Sequence, residues 1–360
     1  MGKRNYGVDL LRIFSMLFVV ILHIIRHCGL ETTSATGGID AYGIYLLKTG
    51  AICAVNCFAI ITGFVMCDTK PRIAKVLQLW AHVVFYTIVC TILFSLLFSK
   101  TVGRKEIINA VLPVSRKQYW FITAYMGMYL LMPFLNIAIQ NMEKRTYTGL
   151  LAIFFAAFTV LPTALDSELF GLAGGYTTFW LCLMYLLGGY LKRFNPLEKM
   201  SSGMMFLCYG ACVGITFLSK YAIACVSTTL PIPTGVLCQY VSPTVVLSAV
   251  FLVGGFAKLP VKGWPKKVVA FFAPAALGVY LIQSNPYISE QLWSFLAPYI
   301  LGQAVLLKPI IVVLVAVMVV LACLCIDRLR ICLFRIVRIP AMCQMTDEWA
   351  NRCWNKVIKE

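Results

Sequence analysis

The stretch Val8–Ile25 reads VDLLRIFSMLFVVILHII, apolar throughout except for Asp9, Arg12, Ser15 and His23. With its flanks it is long enough for a helix to cross a bilayer core, which takes about 20 residues. Lys3 and Arg4 precede it in the manner of a signal peptide. Arg12 and His23 interrupt the run, however, and no small-x-small cleavage site stands before Glu31. The segment is therefore expected to remain as the first span of the mature protein.

Comparable windows recur along the whole chain. Helices are expected at about 8–26, 44–66, 76–98, 120–140, 147–163, 173–191, 204–226, 236–257, 268–288 and 308–326. Of 360 residues, 61% are hydrophobic and only 12% charged, and the mean hydropathy is +0.85. A soluble domain of this size needs far more polar surface, so lipid is the bulk solvent of the fold. The expected fold class is all-α, a polytopic integral membrane protein with about ten transmembrane helices in one bundle. Residues 1–326 form the membrane domain. Residues 327–360 form a basic, amphipathic cytoplasmic tail lying at the interface.

A net charge of +17 raises the question of nucleic acid. The cations instead cluster in short loops: Lys3/Arg4, Lys70/Arg72/Lys75, Lys144/Arg145, Lys192/Arg193/Lys199, Lys258/Lys262/Lys266/Lys267 and Arg328/Arg330/Arg335/Arg338. These fall in alternate loops and at both termini, which places both ends in the cytoplasm by the positive-inside rule. The loop 99–119 departs from that rule, holding Lys100, Arg104, Lys105, Arg116 and Lys117 on the outer side. Either the third helix is misplaced or this loop binds something anionic. The 15 cysteines include no C-x-x-C pair, and most lie inside apolar windows, where a thiol behaves as a small hydrophobe. Neither disulfides nor a metal site is expected. No internal repeat of the kind common in secondary transporters is evident.

Ionisable side chains inside a span are costly and mark functional candidates. The first helix holds Asp9, Arg12 and His23, with His27 just beyond. Eleven positions separate Arg12 from His23, about 20° past three full turns and about 16 Å of rise. They share one face, Arg12 toward the cytoplasm and His23 in the outer half. His27, near the outer interface, is more simply solvated there. His82, in the third helix, is open between packing and function. Trp120 sits at a span edge, where an aromatic belt is the ordinary explanation. Tyr125 and Tyr129, one turn apart, are candidates to line a sugar-binding cavity.

The opening Asp9-Leu10-Leu11-Arg12, ten intervening residues and His23 resemble the Arg-x10-His first-helix motif of the membrane-bound acyltransferase family 3. Asn56-Cys57-Phe58-Ala59-Ile60-Ile61-Thr62-Gly63-Phe64 is similar to that family's aromatic-rich segment ending in Ser/Thr-Gly-aromatic. Trp120-Phe121-Ile122-Thr123-Ala124-Tyr125, with Tyr129 and Pro133, is similar to its fourth-helix motif. Arg72-Ile73-Ala74-Lys75 resembles a cytoplasmic Arg-x-x-Arg, with lysine as the second cation. Tyr280-Leu281-Ile282-Gln283 resembles a Tyr-Leu-Ile-His stretch, with Gln283 in place of the histidine. The resemblance covers residues 4–326.

It implies an O-acyltransferase of the bacterial cytoplasmic membrane. The donor is acetyl-CoA or another acyl-CoA, and the acceptor a cell-surface polysaccharide or lipid-linked glycan precursor. His23 is then the general base, with Arg12 beside it in the catalytic machinery. Arg12, Arg72 and Lys75 meet the phosphates of coenzyme A, and Trp120, Tyr125 and Tyr129 meet substrate. The chemistry suits the residue types: imidazole, with an ordinary pKa of about 6.5, takes a hydroxyl proton near neutral pH, and guanidinium groups recognise phosphate. The alternative class is a transporter or permease-like domain for a small polar solute, which uses the same buried charges without acyl transfer.

Overall fold

The computed structural model describes residues 4–31, 39–70, 72–98, 103–226 and 237–357. Lys3 and Lys100 lie outside the described residues. Helices and turns account for the described chain, with no strand among them. In chain order the helices are α1 (Tyr6–His27), α2 (Ile39–Ala51), α3 (Ala54–Met66), α4 (Ile73–Phe98), α5 (Arg104–Val111), α6 (Trp120–Asn141), α7 (Lys144–Phe155) and α8 (Leu161–Leu165). There follow α9 (Thr178–Phe194), α10 (Ser202–Val226), α11 (Pro243–Lys258), α12 (Gly263–Phe272), α13 (Ala276–Gln283), α14 (Pro286–Leu301), α15 (Lys308–Ile336) and α16 (Ile339–Val357).

Among the described residues, eight stretches are long and apolar enough to cross a membrane: α1, Tyr42–Met66 within α2 and α3, most of α4, α6, α7 with α8, most of α10, α12 with α13, and α15 with the turn before it. The other two expected spans correspond to α9 and α11, helices of 17 and 16 residues. The third expected span, 76–98, falls within α4, which begins three residues earlier at Ile73, so the basic loop after it lies at the same end of the bundle as the end of α1. That end is called distal below, and the end holding the start of α1 proximal.

Proline explains the breaks. The span expected at 268–288 divides at Ala273-Pro274-Ala275, a 3₁₀ turn, and stops at Gln283 because Asn285 caps a new helix opening on Pro286. A proline inside a helix removes one amide donor and crowds the carbonyl four residues earlier. Pro162 does the same between α7 and α8, where Ala156–Val160 form a π turn.

Helix α1 is the hub, packing on α2, α3, α11, α12, α13 and α15. Asn5 caps it, accepting from the amides of Gly7 and Val8 and donating from Nδ2 to the Ala257 carbonyl at 2.8 Å. Helices α3 and α9 approach each other closely. A Cβ on Gly63 would overlap the Tyr185 carbonyl, and one on Gly188 the Ile60 carbonyl, so only glycine permits this approach. Asn56 bridges the pair, accepting from Trp180 Nε1 at 2.9 Å.

The tail is anchored. Helix α15 continues unbroken through Asp327 to Ile336, and α16 packs on α4, with Asp347 accepting from the Ile73 amide at 2.9 Å. Asp327, fully buried, accepts from Tyr86 at 2.9 Å, lies 2.8 Å from His82 Nε2, and takes two hydrogen bonds from Arg330 at 2.9 and 2.6 Å. His82, open between two roles in the sequence, is here part of a buried ion-pair network joining α4 to α15. The network also reaches α13, where a Cβ on Gly278 would overlap the Asp327 carboxyl.

Candidate active site

His23 sits in the last two turns of α1 on the wall of a distal cavity of about 320 Å³. The cavity runs along α1 from Met16 to Arg26, about 15 Å of helix. Phe58, Phe121, Trp120, Tyr176, Tyr240 and Tyr280 supply aromatic walls. Trp120 leans on Tyr176 at 4.4 Å and stacks on Tyr240 at 6.3 Å between ring centroids. A cavity of this size, with aromatic walls and convergent polar groups, is the usual form of a small-molecule site.

The histidine is oriented from behind. Its Nδ1 lies 2.8 Å from Gln283 Oε1, and the Gln283 amide nitrogen donates to Ser284 Oγ at 2.8 Å. An amide oxygen only accepts, so Nδ1 of the neutral ring carries the proton and Nε2 keeps its lone pair. Gln283 is fully buried in the final turn of α13. That turn is fixed by Tyr119, which donates to the Leu281 carbonyl and accepts from Asn285, both at 3.0 Å. His27 lies edge-on to His23 at 5.6 Å and stacks on Trp293 at 6.1 Å.

Arg12 lies toward the proximal end, four residues from Met16. Its Nη1 donates to Asp9 at 2.7 Å, and Arg4 donates to the other oxygen of that carboxylate at 2.5 Å. Arg12 also lies close enough to Tyr125 to act on its hydroxyl electrostatically. Tyr125 meets Thr62 Oγ1 at 3.3 Å, and Tyr129 donates to the backbone carbonyl of Arg72 at 3.5 Å. Arg72 and Lys75 are exposed at the start of α4. The structure thus brings Trp120 to the cavity of His23. It puts Tyr125 and Tyr129 instead on the proximal side, near Arg12 and Arg72.

Two kinds of residue at this site are not singled out by sequence pattern. Arg26, one turn beyond His23, lines the cavity, as do Lys48 and Glu31, which form an ion pair at 3.0 Å. Tyr176 and Tyr240 come from connecting segments far apart in the chain. Burial and the neighbouring Tyr176 push the Tyr240 hydroxyl well above its ordinary range, and the charge of Arg26 opposes that shift. Arg26 had one visible signal, its i+3 spacing from His23. Among the described residues no group of three or more His, Cys, Asp and Glu side chains is placed to hold a metal.

Comparison with curated proteins and with solved structures gives no match. Comparison with family models does: the acyltransferase family 3 model, described as an acyltransferase domain, matches residues 5–328, from the cap of α1 to just past Asp327. Nearly the whole chain, with both ends of the Arg12–His23 helix face, is covered, and the protein belongs to the acyltransferase family 3 as a multi-pass membrane acyltransferase.

Proposed function

We propose that the protein is an O-acyltransferase of the bacterial cytoplasmic membrane. It moves an acyl group, most simply acetyl, from acyl-CoA to a hydroxyl of a surface polysaccharide or lipid-linked glycan precursor. Arg12, Arg72 and Lys75 meet the coenzyme A phosphates at the proximal, cytoplasmic end. Tyr125 and Tyr129 contact the acyl-bearing arm beside them, and Trp120 stacks on the acceptor sugar in the distal cavity. His23 Nε2 accepts the acceptor's hydroxyl proton as that oxygen attacks the thioester carbonyl. The carbon–sulfur bond then breaks, and the thiolate leaves and takes up a proton.

The observation that carries this reading is His23 itself, held through Nδ1 by Gln283 with its other nitrogen available in an aromatic-walled cavity. Only about one helical turn separates the cavity floor at Met16 from Arg12. A short opening there would join donor and acceptor sides.

The test is incubation of purified protein with labelled acetyl-CoA and membrane glycan. Wild type is expected to consume thioester and label glycan, and His23→Ala to lose at least ~10²-fold of that rate. Activity is expected to rise with pH as the imidazole sheds its proton. No thioester consumption in the wild type would sink the enzyme reading, and solute uptake into vesicles without coenzyme A would point to a carrier.

A further inference from the structure

Among the described residues, two cations line the distal cavity, Arg26 and Lys48. Lys48 is paired with Glu31 at 3.0 Å. Arg26 is exposed to the cavity and, among the described residues, its side chain has no carboxylate or hydrogen-bond partner. Of the half-buried guanidinium groups, Arg12 and Arg330 are each matched by a carboxylate, Asp9 and Asp327, and Arg328 lies over the Phe271 ring at 4.0 Å with its Nε unpartnered. A guanidinium in an aromatic-walled recess, one turn from the base, is a ready site for an oxyanion.

A second observation agrees. The distal segment before Trp120 presents Arg104, Lys105, Arg116 and Lys117, all exposed, against Glu106 alone. It is packed against the site, since Tyr119 holds the Gln283 turn and the Val114 carbonyl accepts from Thr123 at 2.9 Å. Such cations on the outer face run against the positive-inside rule, and their field draws anionic ligands toward the cavity mouth.

From these we infer that the acceptor is an anionic glycan, whose carboxylate or phosphate, within about one sugar ring of the acylated hydroxyl, pairs with Arg26. The inference rests on the acyltransferase reading. An i,i+3 pair on α1 sets the two side chains about 5–6 Å apart at their Cβ atoms, roughly the breadth of a pyranose. Trp120, Tyr176 and Tyr240 stack on the ring while Arg26 fixes its charged edge, turning one hydroxyl to His23.

The experiment measures binding apart from transfer. Purified protein in nanodiscs is titrated with a neutral oligosaccharide, its uronic-acid counterpart and its sugar-1-phosphate counterpart, followed by tryptophan fluorescence with no acyl donor present. At least one anionic ligand is expected to bind about tenfold or more tighter than the neutral one, the scale of one charge-assisted pair. Preference for the uronate assigns an acidic sugar, and preference for the phosphate a lipid-phosphate-linked one. Arg26→Gln should erase the preference; Arg26→Lys, which keeps the charge, should retain part of it. Equal affinity for neutral and anionic ligands, no binding of either, or a preference that survives Arg26→Gln overturns the inference. Transfer of labelled acetyl to the neutral acceptor by the wild type, lost in His23→Ala, separates that failure from failure of the acyltransferase reading.

Discussion

His23 has two ring nitrogens, and the site uses them differently. Nδ1 is committed to Gln283, so only Nε2 can receive a proton from an acceptor. Removing that commitment should cost rate and leave donor binding intact: Gln283→Leu is expected to lower kcat about 10–100-fold, part of the ~10²–10⁴ a positioned base contributes, with KM for acyl-CoA nearly unchanged. Steady-state kinetics decides, and an unaltered kcat would remove Gln283 from the site. Arg12 and His23 were legible in the sequence because a single helix fixes their geometry through its period. Gln283 was visible only as a departure from a family pattern, since its contact with His23 spans 260 positions and arises from packing of α13 on α1. Arg26 escaped for a related reason. At a span edge a cation has an ordinary explanation, and only the walls contributed by distant segments show that it faces a cavity.

Helix α13 is eight residues long, too short to hold its place by its own hydrogen bonds, yet it positions Gln283. Its placement comes from Tyr119 at one end and from Gly278 resting against Asp327 at the other. Asp327 looked from sequence like the start of a basic tail. The structure makes it a fully buried anion with three partners, and the signal was a lone acid just after a long apolar run with Arg330 at i+3. Asp327→Leu strands Arg330 and His82 without their counter-ion. Breaking a buried pair in this way costs about 3–5 kcal/mol, so the detergent-solubilised protein should melt markedly lower, while Asp327→Asn, which keeps hydrogen-bonding atoms, should lose less. Thermal unfolding monitored by size exclusion reads both, and unchanged melting of Asp327→Leu would rule out a stabilising network. The α3–α9 contact gives a parallel case. Gly188→Leu cannot be accommodated against the Ile60 carbonyl and should separate the two helices, reducing yield of monodisperse protein.

The two ends of the bundle differ in charge, and the difference orients the chemistry. The proximal end gathers Lys192, Arg193, Lys258, Lys262, Lys266, Arg335 and Arg338, the pattern that retains a face in the cytoplasm. The all-helical, many-span character was legible because each apolar window must match the bilayer thickness, whereas the breaks in α7–α8 and α12–α13 depend on how prolines are accommodated by neighbours. Orientation is testable without any assay of activity. Cysteines introduced at Ser167 and Gln303, both exposed at the distal end, should react with a membrane-impermeant maleimide in intact cells. A cysteine at Lys199, exposed at the proximal end, should react only after permeabilisation. The reverse pattern would place His23 and Arg26 on the cytoplasmic side. It would then bring acyl-CoA to the aromatic cavity instead of to Arg12, so the same measurement decides which end of α1 meets the donor.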